Sequence, residues 1–201
     1  MDRLRFKAPA LFLLLLMIDA IALQASSILQ VSVDQMLKKS ELVFEGTVIG
    51  ITPHWGPSRI VETDVAFEVN DVIKGSLNKP VIVLTFTGGS LDGMTFTIAD
   101  MQMPAYREHG VYFVESLQRQ QVHPFYGWEQ GHFLVKANRS GTPIVTTSAG
   151  RAVLDIQSER LPGQRALSTG TAFGVRTSGI TIDSSAMTLT AFKAGLRRLN
   201  K

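Results

Sequence analysis

The chain has 201 residues, of which 45% are hydrophobic and 18% are charged, which is enough for one domain with a sizeable core. Its 20 Lys and Arg residues against 17 Asp and Glu give a net charge of +3 without any run of five like charges, which argues against a nucleic-acid partner. Cysteine is absent, and this excludes disulfide scaffolds, cysteine-ligated metals and cysteine nucleophiles.

Residues 1–25 have the order of a secretory signal peptide. Three cations within the first seven residues precede an uncharged apolar stretch (8–18), and small residues follow from 20 to 27. The stretch is too short for a spanning helix, which needs about 20 apolar residues. We expect cleavage between residues 22 and 27, a periplasmic or secreted mature protein, and no stable membrane span after cleavage. The alternatives are an uncleaved membrane anchor, with Asp19 impairing processing, and a buried N-terminal helix.

The rest of the chain, 26–201, is predicted to form one mainly β domain. It begins with a short helix at 32–39, because Ser32 can cap it while Met36 and Leu37 face inward. A strand rich in β-branched residues follows at 42–51, where internal glycines indicate bulges, and Pro53 is expected to end it. Residues 52–58 are interpreted as a loop.

Alternation of apolar and polar side chains predicts the second strand. From Val61 to Val69, every second residue is apolar or Thr, while most intervening ones are charged or polar. Regularly spaced short strands are typical of a sandwich or barrel. Further strands are predicted at 80–87, 94–99, 111–114, 131–137 and 144–146, with another candidate at 151–156.

Two segments complete the domain. Residues 158–178 carry few large apolar side chains and are predicted to form a mobile loop. Residues 186–199 are predicted to form an amphipathic terminal helix, since Leu189, Phe192 and Leu196 recur at helical spacing. Its cationic C-terminal end is interpreted as a solvated helix end, with an anionic membrane contact as the alternative.

Short motifs follow one another along the chain: Leu-Val-Phe-Glu-Gly-Thr-Val at 42–48, Val-Ile-Lys-Gly at 72–75, Gly-Gly at 88–89, Pro-Ala-Tyr at 104–106, Val-Tyr-Phe-Val at 111–114 and Gly-Trp-Glu-Gln-Gly-His-Phe at 127–133. Their order resembles cysteine-free bacterial exported proteins of the netrin/TIMP-like OB-fold module. The resemblance covers about residues 32–137 and the closing helix, and it implies an OB-like small barrel of five to six strands with a short N-terminal helix and a C-terminal amphipathic helix. TIMP-type inhibitors bind their target's zinc through an N-terminal cysteine, which this chain lacks.

No constellation in the sequence indicates catalysis or a bound metal or cofactor. The four histidines are not spaced as metal ligands, and no Gly-x-Ser-x-Gly motif occurs. Aromatic residues are more suggestive, because OB-folds bind ligands through aromatic side chains on one face and its loops. We predict a binding surface at His54, Trp55, Tyr126 and Trp128. The glycines that flank Trp128 favour packing in the barrel, whereas Trp55 fits equally a lid over the core and a contact residue.

These observations predict a non-enzymatic exported protein of the bacterial envelope or extracellular space. It is expected to contact an unknown protein partner through barrel loops, without nucleic acid and without a cofactor. Two alternatives stay open: a regulator or inhibitor of a secreted metalloprotease, and a hydrolase whose catalytic residues the sequence does not display.

Overall fold

The computed structural model describes residues 28–57, 59–159, 166–179 and 185–201. The chain is mainly β, with 44% strand and 14% helix, as the sequence predicts. The predicted signal peptide and residues 160–165 of the predicted mobile loop lie outside the described residues. Within the described residues, no helix combines the length and the apolar character needed to cross a membrane.

Two α-helices, one 3-10 helix and ten strands make up the described part of the chain. The helices are α1 (Val33–Lys39), the 3-10 helix (Trp128–Gly131) and α2 (Leu189–Leu199). The strands are β1 (Leu42–Trp55), β2 (Val61–Lys74), β3 (Val81–Thr87), β4 (Gly89–Leu91), β5 (Met94–Phe96), β6 (His109–Val114), β7 (His132–Ala137), β8 (Pro143–Thr147), β9 (Val153–Ile156) and β10 (Val175–Thr177).

Six of the strands form one antiparallel sheet in the order β3-β2-β1-β6-β7-β8. Two smaller antiparallel pairs, β4–β5 and β9–β10, lie beside it. Among the described residues no ladder joins β3 to β8, so the sheet is open, and closure into a barrel stays a prediction.

The predicted bulges in β1 are present and bend the sheet. The register of β1 against β2 shifts between Glu45 and Gly46 and again between Val48 and Gly50. Gly46 lies opposite Gly110 of β6. A Cβ atom on Gly46 would lie 2.7 Å from the carbonyl oxygen of Glu68, so this close approach of strands requires glycine.

The sheet packs against an apolar cluster on each face. The inner cluster contains Phe44, Phe67, Tyr112 and Phe125, whose ring centroids lie 4.8–6.3 Å apart. The outer cluster joins α1 and α2 to the sheet through side chains such as Met36, Phe113, Phe133 and Phe192. Because successive residues of a strand face opposite ways, Tyr112 and Phe113 place the middle of β6 in both clusters.

Both predicted helices are present. Ser32 accepts a hydrogen bond from the backbone N–H of Gln35, and the Gln35 side chain accepts one from Ser32, so α1 begins at a complete capping box. The terminal helix begins at Leu189 rather than at 186. The residues before it form an extended link. The Met187 carbonyl accepts a hydrogen bond from the Val145 amide, and the Met187 amide donates one to the Val153 carbonyl.

Three predictions about local structure were wrong in detail. The loop predicted at 52–58 begins later, because β1 continues through Pro53 to Trp55. Proline is tolerated there since β6 pairs with β1 only up to Thr47, so one side of β1 is then free of ladder hydrogen bonds. The strand predicted at 94–99 is only three residues long, and it pairs with β4 in a hairpin that the sequence analysis missed. Strand β10 lies inside the predicted loop 158–178.

Candidate functional site

The second half of β1 extends beyond the core. Strand β6 pairs with Leu42–Thr47, so among the described strands only β2 pairs with residues 49–55. We call residues 49–55 the projecting end. Its side chains are exposed or half-buried, whereas six of the seven residues from Leu42 to Val48 are buried.

The predicted neighbours His54 and Trp55 lie on opposite faces of the projecting end. They occupy successive strand positions, opposite Glu62 and Val61 of β2. His54 approaches Asp64, with 3.4 Å between Nε2 and Oδ1. The indole Nε1 of Trp55 donates a hydrogen bond of 3.2 Å to Asp92 Oδ2, in the turn between β4 and β5. The structure therefore divides the predicted pair between two surfaces.

The first is the Trp55 surface, which we define by Ile51, Trp55, Met94 and Phe96. These four side chains are 40%, 42%, 56% and 39% exposed, respectively. Ile51 and Trp55 point to the same side of β1 because they are four residues apart in a strand. The β4–β5 hairpin crosses this side, since an atom placed at Cβ of Gly89 would meet Val61, the cross-strand neighbour of Trp55. We take these exposed apolar side chains as a candidate contact surface.

The second surface is the His54 cleft, a cavity of about 400 Å³ between the polar side of β2–β3 and the loop 116–121. Thr85 Oγ1 donates a hydrogen bond of 2.6 Å to Asp64 Oδ1, and Gln120 Nε2 donates one of 2.7 Å to Glu62 Oε1. A hydrogen bond to the Trp55 carbonyl raises the pKa of His54, and Asp64 adds to this effect. The cleft thus combines carboxylate, imidazole, hydroxyl and amide groups.

Trp128 covers a buried histidine. Its ring stacks on the ring of His123, with centroids 5.4 Å apart and planes 12° from parallel. The Nδ1 of His123 accepts a hydrogen bond from the backbone N–H of Phe125, so Nε2 carries the proton and donates to the Gln102 carbonyl. Burial lowers the pKa of His123 to about 3. The His123 ring is therefore neutral at ordinary pH.

Tyr126 lies apart from the Trp55 surface and the His54 cleft, beside the outer cluster. It is half-buried against the outer cluster and lines a groove of about 830 Å³ together with side chains that include Leu29, Leu167 and Phe173. Burial raises the pKa of its phenol. Among the described residues, His54 and Tyr126 line different cavities, while Trp55 contacts Asp92 and Trp128 contacts His123, so the structure gives the four predicted residues separate surroundings.

The sequence analysis missed a carboxylate that holds an inner-face histidine. Glu108 Oε1 lies 2.6 Å from His132 Nε2 and accepts a hydrogen bond of 3.2 Å from the Tyr112 hydroxyl. Burial is the main cause that raises the pKa of Tyr112, so its hydroxyl stays protonated and donates. A Glu–His pair has the groups for acid–base chemistry, but the His132 side chain is only 3% exposed between Tyr112 and Phe125. Its Nδ1 is buried without a hydrogen-bond partner among the described residues.

A second missed network joins α2 to the sheet. Lys193 of α2 binds both Glu45 of β1 and Asp71 of β2, and Glu45 also lies 2.9 Å from His109 Nε2. Burial alone would raise the pKa of Asp71, but hydrogen bonds from Lys193 and Arg197 outweigh it and lower the pKa. No sequence signal identifies these partners, because Glu45 and Lys193 are 148 residues apart.

Neither a metal site nor a comparison with known proteins assigns a chemistry to these surfaces. In the described ranges, no group of three or more His, Asp and Glu side chains is placed to hold a metal ion. The chain matches no protein-family model, no curated protein and no solved structure among those with which it was compared. The Trp55 surface and the His54 cleft are therefore the features of the molecule that bear on its function.

Proposed function

We propose that the protein is an exported, non-enzymatic binding protein that contacts a protein partner through the Trp55 surface. The observation that carries the proposal is the exposure of Trp55, Ile51, Met94 and Phe96 on two adjoining elements at one end of the sheet. None of these side chains is needed to fill the inner cluster, which is closed by other residues.

The indole of Trp55 is suited to anchor an interface. Its hydrogen bond to Asp92 restrains the ring while two-fifths of the side chain is still exposed. A restrained aromatic side chain loses little conformational entropy on binding, and tryptophan is enriched among the residues that dominate interface energies. Met94 and Phe96 extend the contact area with a flexible and a rigid apolar group.

We infer that the curved sheet is an OB-like barrel of the kind found in the netrin/TIMP-like module. Support comes from the long, bulged strands β1 and β2 and from the aromatic cluster they enclose. Strand β3 is an edge strand of the sheet. On its free side, the Thr87 amide donates a hydrogen bond to the Val122 carbonyl, which joins this edge to the segment before the 3-10 helix. In such a barrel, Trp55 ends β1 next to the loop between the first two strands, and that loop is one of the elements through which OB-folds bind ligands.

Export to the bacterial envelope or the extracellular space is supported by the order of charged, apolar and small residues in 1–27. Mass spectrometry of the mature chain from fractionated cells tests this part. We expect an N-terminus between residues 23 and 27, from cleavage between residues 22 and 27. A full-length chain recovered from the cytoplasm would contradict it.

Capture from envelope extract tests the contact surface. Wild-type protein, Trp55→Ala and Val81→Ala are compared as baits, since Val81 is 40% exposed but faces the other side of the sheet. We expect Trp55→Ala to lose a partner that wild type and Val81→Ala retain. A metalloprotease as that partner would favour the alternative function, a regulator or inhibitor of a secreted metalloprotease. Retention of every partner by Trp55→Ala would show that the surface is wrongly placed.

A further inference from the structure

The His54 cleft lies on the side of the sheet opposite the Trp55 surface. Its floor is the polar side of β2–β3, where Glu62, Asp64 and Thr85 stand on neighbouring strand positions. Its wall is the loop 116–121, which Gln120 ties to Glu62 with a hydrogen bond of 2.7 Å. The volume of about 400 Å³ lies within the range of small-ligand pockets, about 300–1,000 Å³.

The cleft presents acceptors and donors together. Glu62 and Asp64 supply carboxylate oxygens, while Gln118, Gln120 and Arg119 supply N–H groups on the facing wall. The cleft carries charges of both signs, with two carboxylates on the floor and Arg119, which also binds Glu115, on the wall, so it favours neither an anionic nor a cationic ligand. A neutral ligand with many hydroxyl groups uses both sides.

Apolar atoms are interspersed with these polar groups. Pro57, Leu117 and Pro124 line the same cavity. Sugar rings offer hydroxyl groups at their edges and C–H groups on their faces, so they match a lining of this mixed character. We propose that the His54 cleft binds a neutral carbohydrate, with Glu62, Asp64 and Gln120 accepting and donating hydrogen bonds to its hydroxyl groups.

Amide-detected NMR titration of the mature protein tests this inference. The probes are maltotriose and chitotriose as neutral oligosaccharides, spermidine as a cation and trigalacturonic acid as an anion. We expect saturable shifts with at least one neutral probe, centred on the amides of 83–85 and 116–121, and weaker shifts with the charged probes. Absence of saturable shifts with both neutral probes up to about 10 mM, well above a millimolar Kd, would overturn the proposal. Preferential binding of spermidine or trigalacturonic acid would overturn it as well.

Variants locate the binding groups. Gln120→Ala and Glu62→Gln are expected to weaken the affinity for the neutral probe about tenfold or more, because the first removes a hydrogen-bonding amide and the second replaces an acceptor oxygen with an N–H donor. Glu68→Gln is the matched control, since Glu68 lies on the same strand outside the cleft. Trp55→Ala should leave sugar affinity unchanged, which separates this inference from the proposed protein contact. Equal affinity in Gln120→Ala, Glu62→Gln and wild type would show that the sugar binds elsewhere.

Discussion

The two halves of β1 differ in what their side chains do. In the first half, Phe44 is enclosed by the inner cluster and Glu45 is bound by Lys193 and His109. In the projecting end, Ile51 and Trp55 keep about two-fifths of their surface exposed although they belong to the same continuous strand. The first half therefore determines stability, and the projecting end is available for contacts.

Truncation of an apolar side chain in each half should give the largest contrast. Phe44→Ala is expected to lower the free energy of unfolding by about 3–5 kcal/mol, because it opens a cavity in a fully enclosed cluster. Ile51→Ala, in the projecting end, should lower it by less than about 1 kcal/mol. Denaturant unfolding monitored by circular dichroism measures both. Similar losses in the two variants would contradict the division of β1.

Removal of the cation that binds Glu45 should give the next largest effect. Lys193→Met leaves a nearly buried carboxylate with His109 as its remaining partner, and we expect a loss of about 2–3 kcal/mol, below the usual range because the pair is partly hydrated. Arg197→Met, which removes the more exposed partner of Asp71, should cost less than about 1 kcal/mol. Denaturant unfolding measures both losses. Equal losses would show that burial of the Glu45–Lys193 pair does not increase its contribution to the free energy of unfolding.

Titration should distinguish His54 of the projecting end from His123, which is buried against Phe86 and Phe125 of the inner cluster. In ¹H NMR, His54 should titrate above 6.5, whereas His123 should stay neutral down to about pH 4, since burial lowers its pKa to about 3. The unfolded chain protonates His123 near pH 6.5 and the folded chain does not, so this residue lowers stability as the pH falls from 6.5 toward 3. Protonation of His54 favours the folded state below pH 6.5, and that contribution disappears as the pH rises through its folded pKa. Asp64→Asn should lower the pKa of His54 and leave His123 unchanged.

Much of the fold could be predicted from local sequence. The alternation in β2 and the capping box of α1 depend on residues a few positions apart, so their physical signals are visible in the chain. The end of β1 at Pro53 was predicted wrongly. A proline ends a strand only where its missing N–H would have bonded to a neighbouring strand, and here β6 stops pairing with β1 at Thr47. A proline on the free side of a strand removes no ladder hydrogen bond.

The candidate surfaces were harder to predict. The sequence predicts Trp55 and His54 as binding residues in one loop. They lie in a strand instead, and successive residues of a strand point to opposite faces. Their partners Asp92 and Asp64 come from other elements, as do those of Glu45. Pairing across such distances in sequence leaves no periodic or motif signal, so only the folded chain shows it.

The smallest effect on stability is expected at Trp55 itself. Trp55→Ala removes an exposed side chain and one hydrogen bond to Asp92, and it should change the free energy of unfolding by about 1 kcal/mol or less. Denaturant unfolding measures this change. A loss of about 3 kcal/mol or more would show that the indole is a lid over the core rather than a contact residue.

Site-specific photo-crosslinking in living cells tests most directly whether the Trp55 surface meets a partner. A photoreactive phenylalanine analogue is placed at position 96 or, as the control, at position 81 on the other side of the sheet. The account predicts a discrete protein adduct from position 96, none from position 81, and loss of the adduct when Trp55→Ala is added. An adduct from position 81 alone, or one from position 96 that persists with Trp55→Ala, would contradict it.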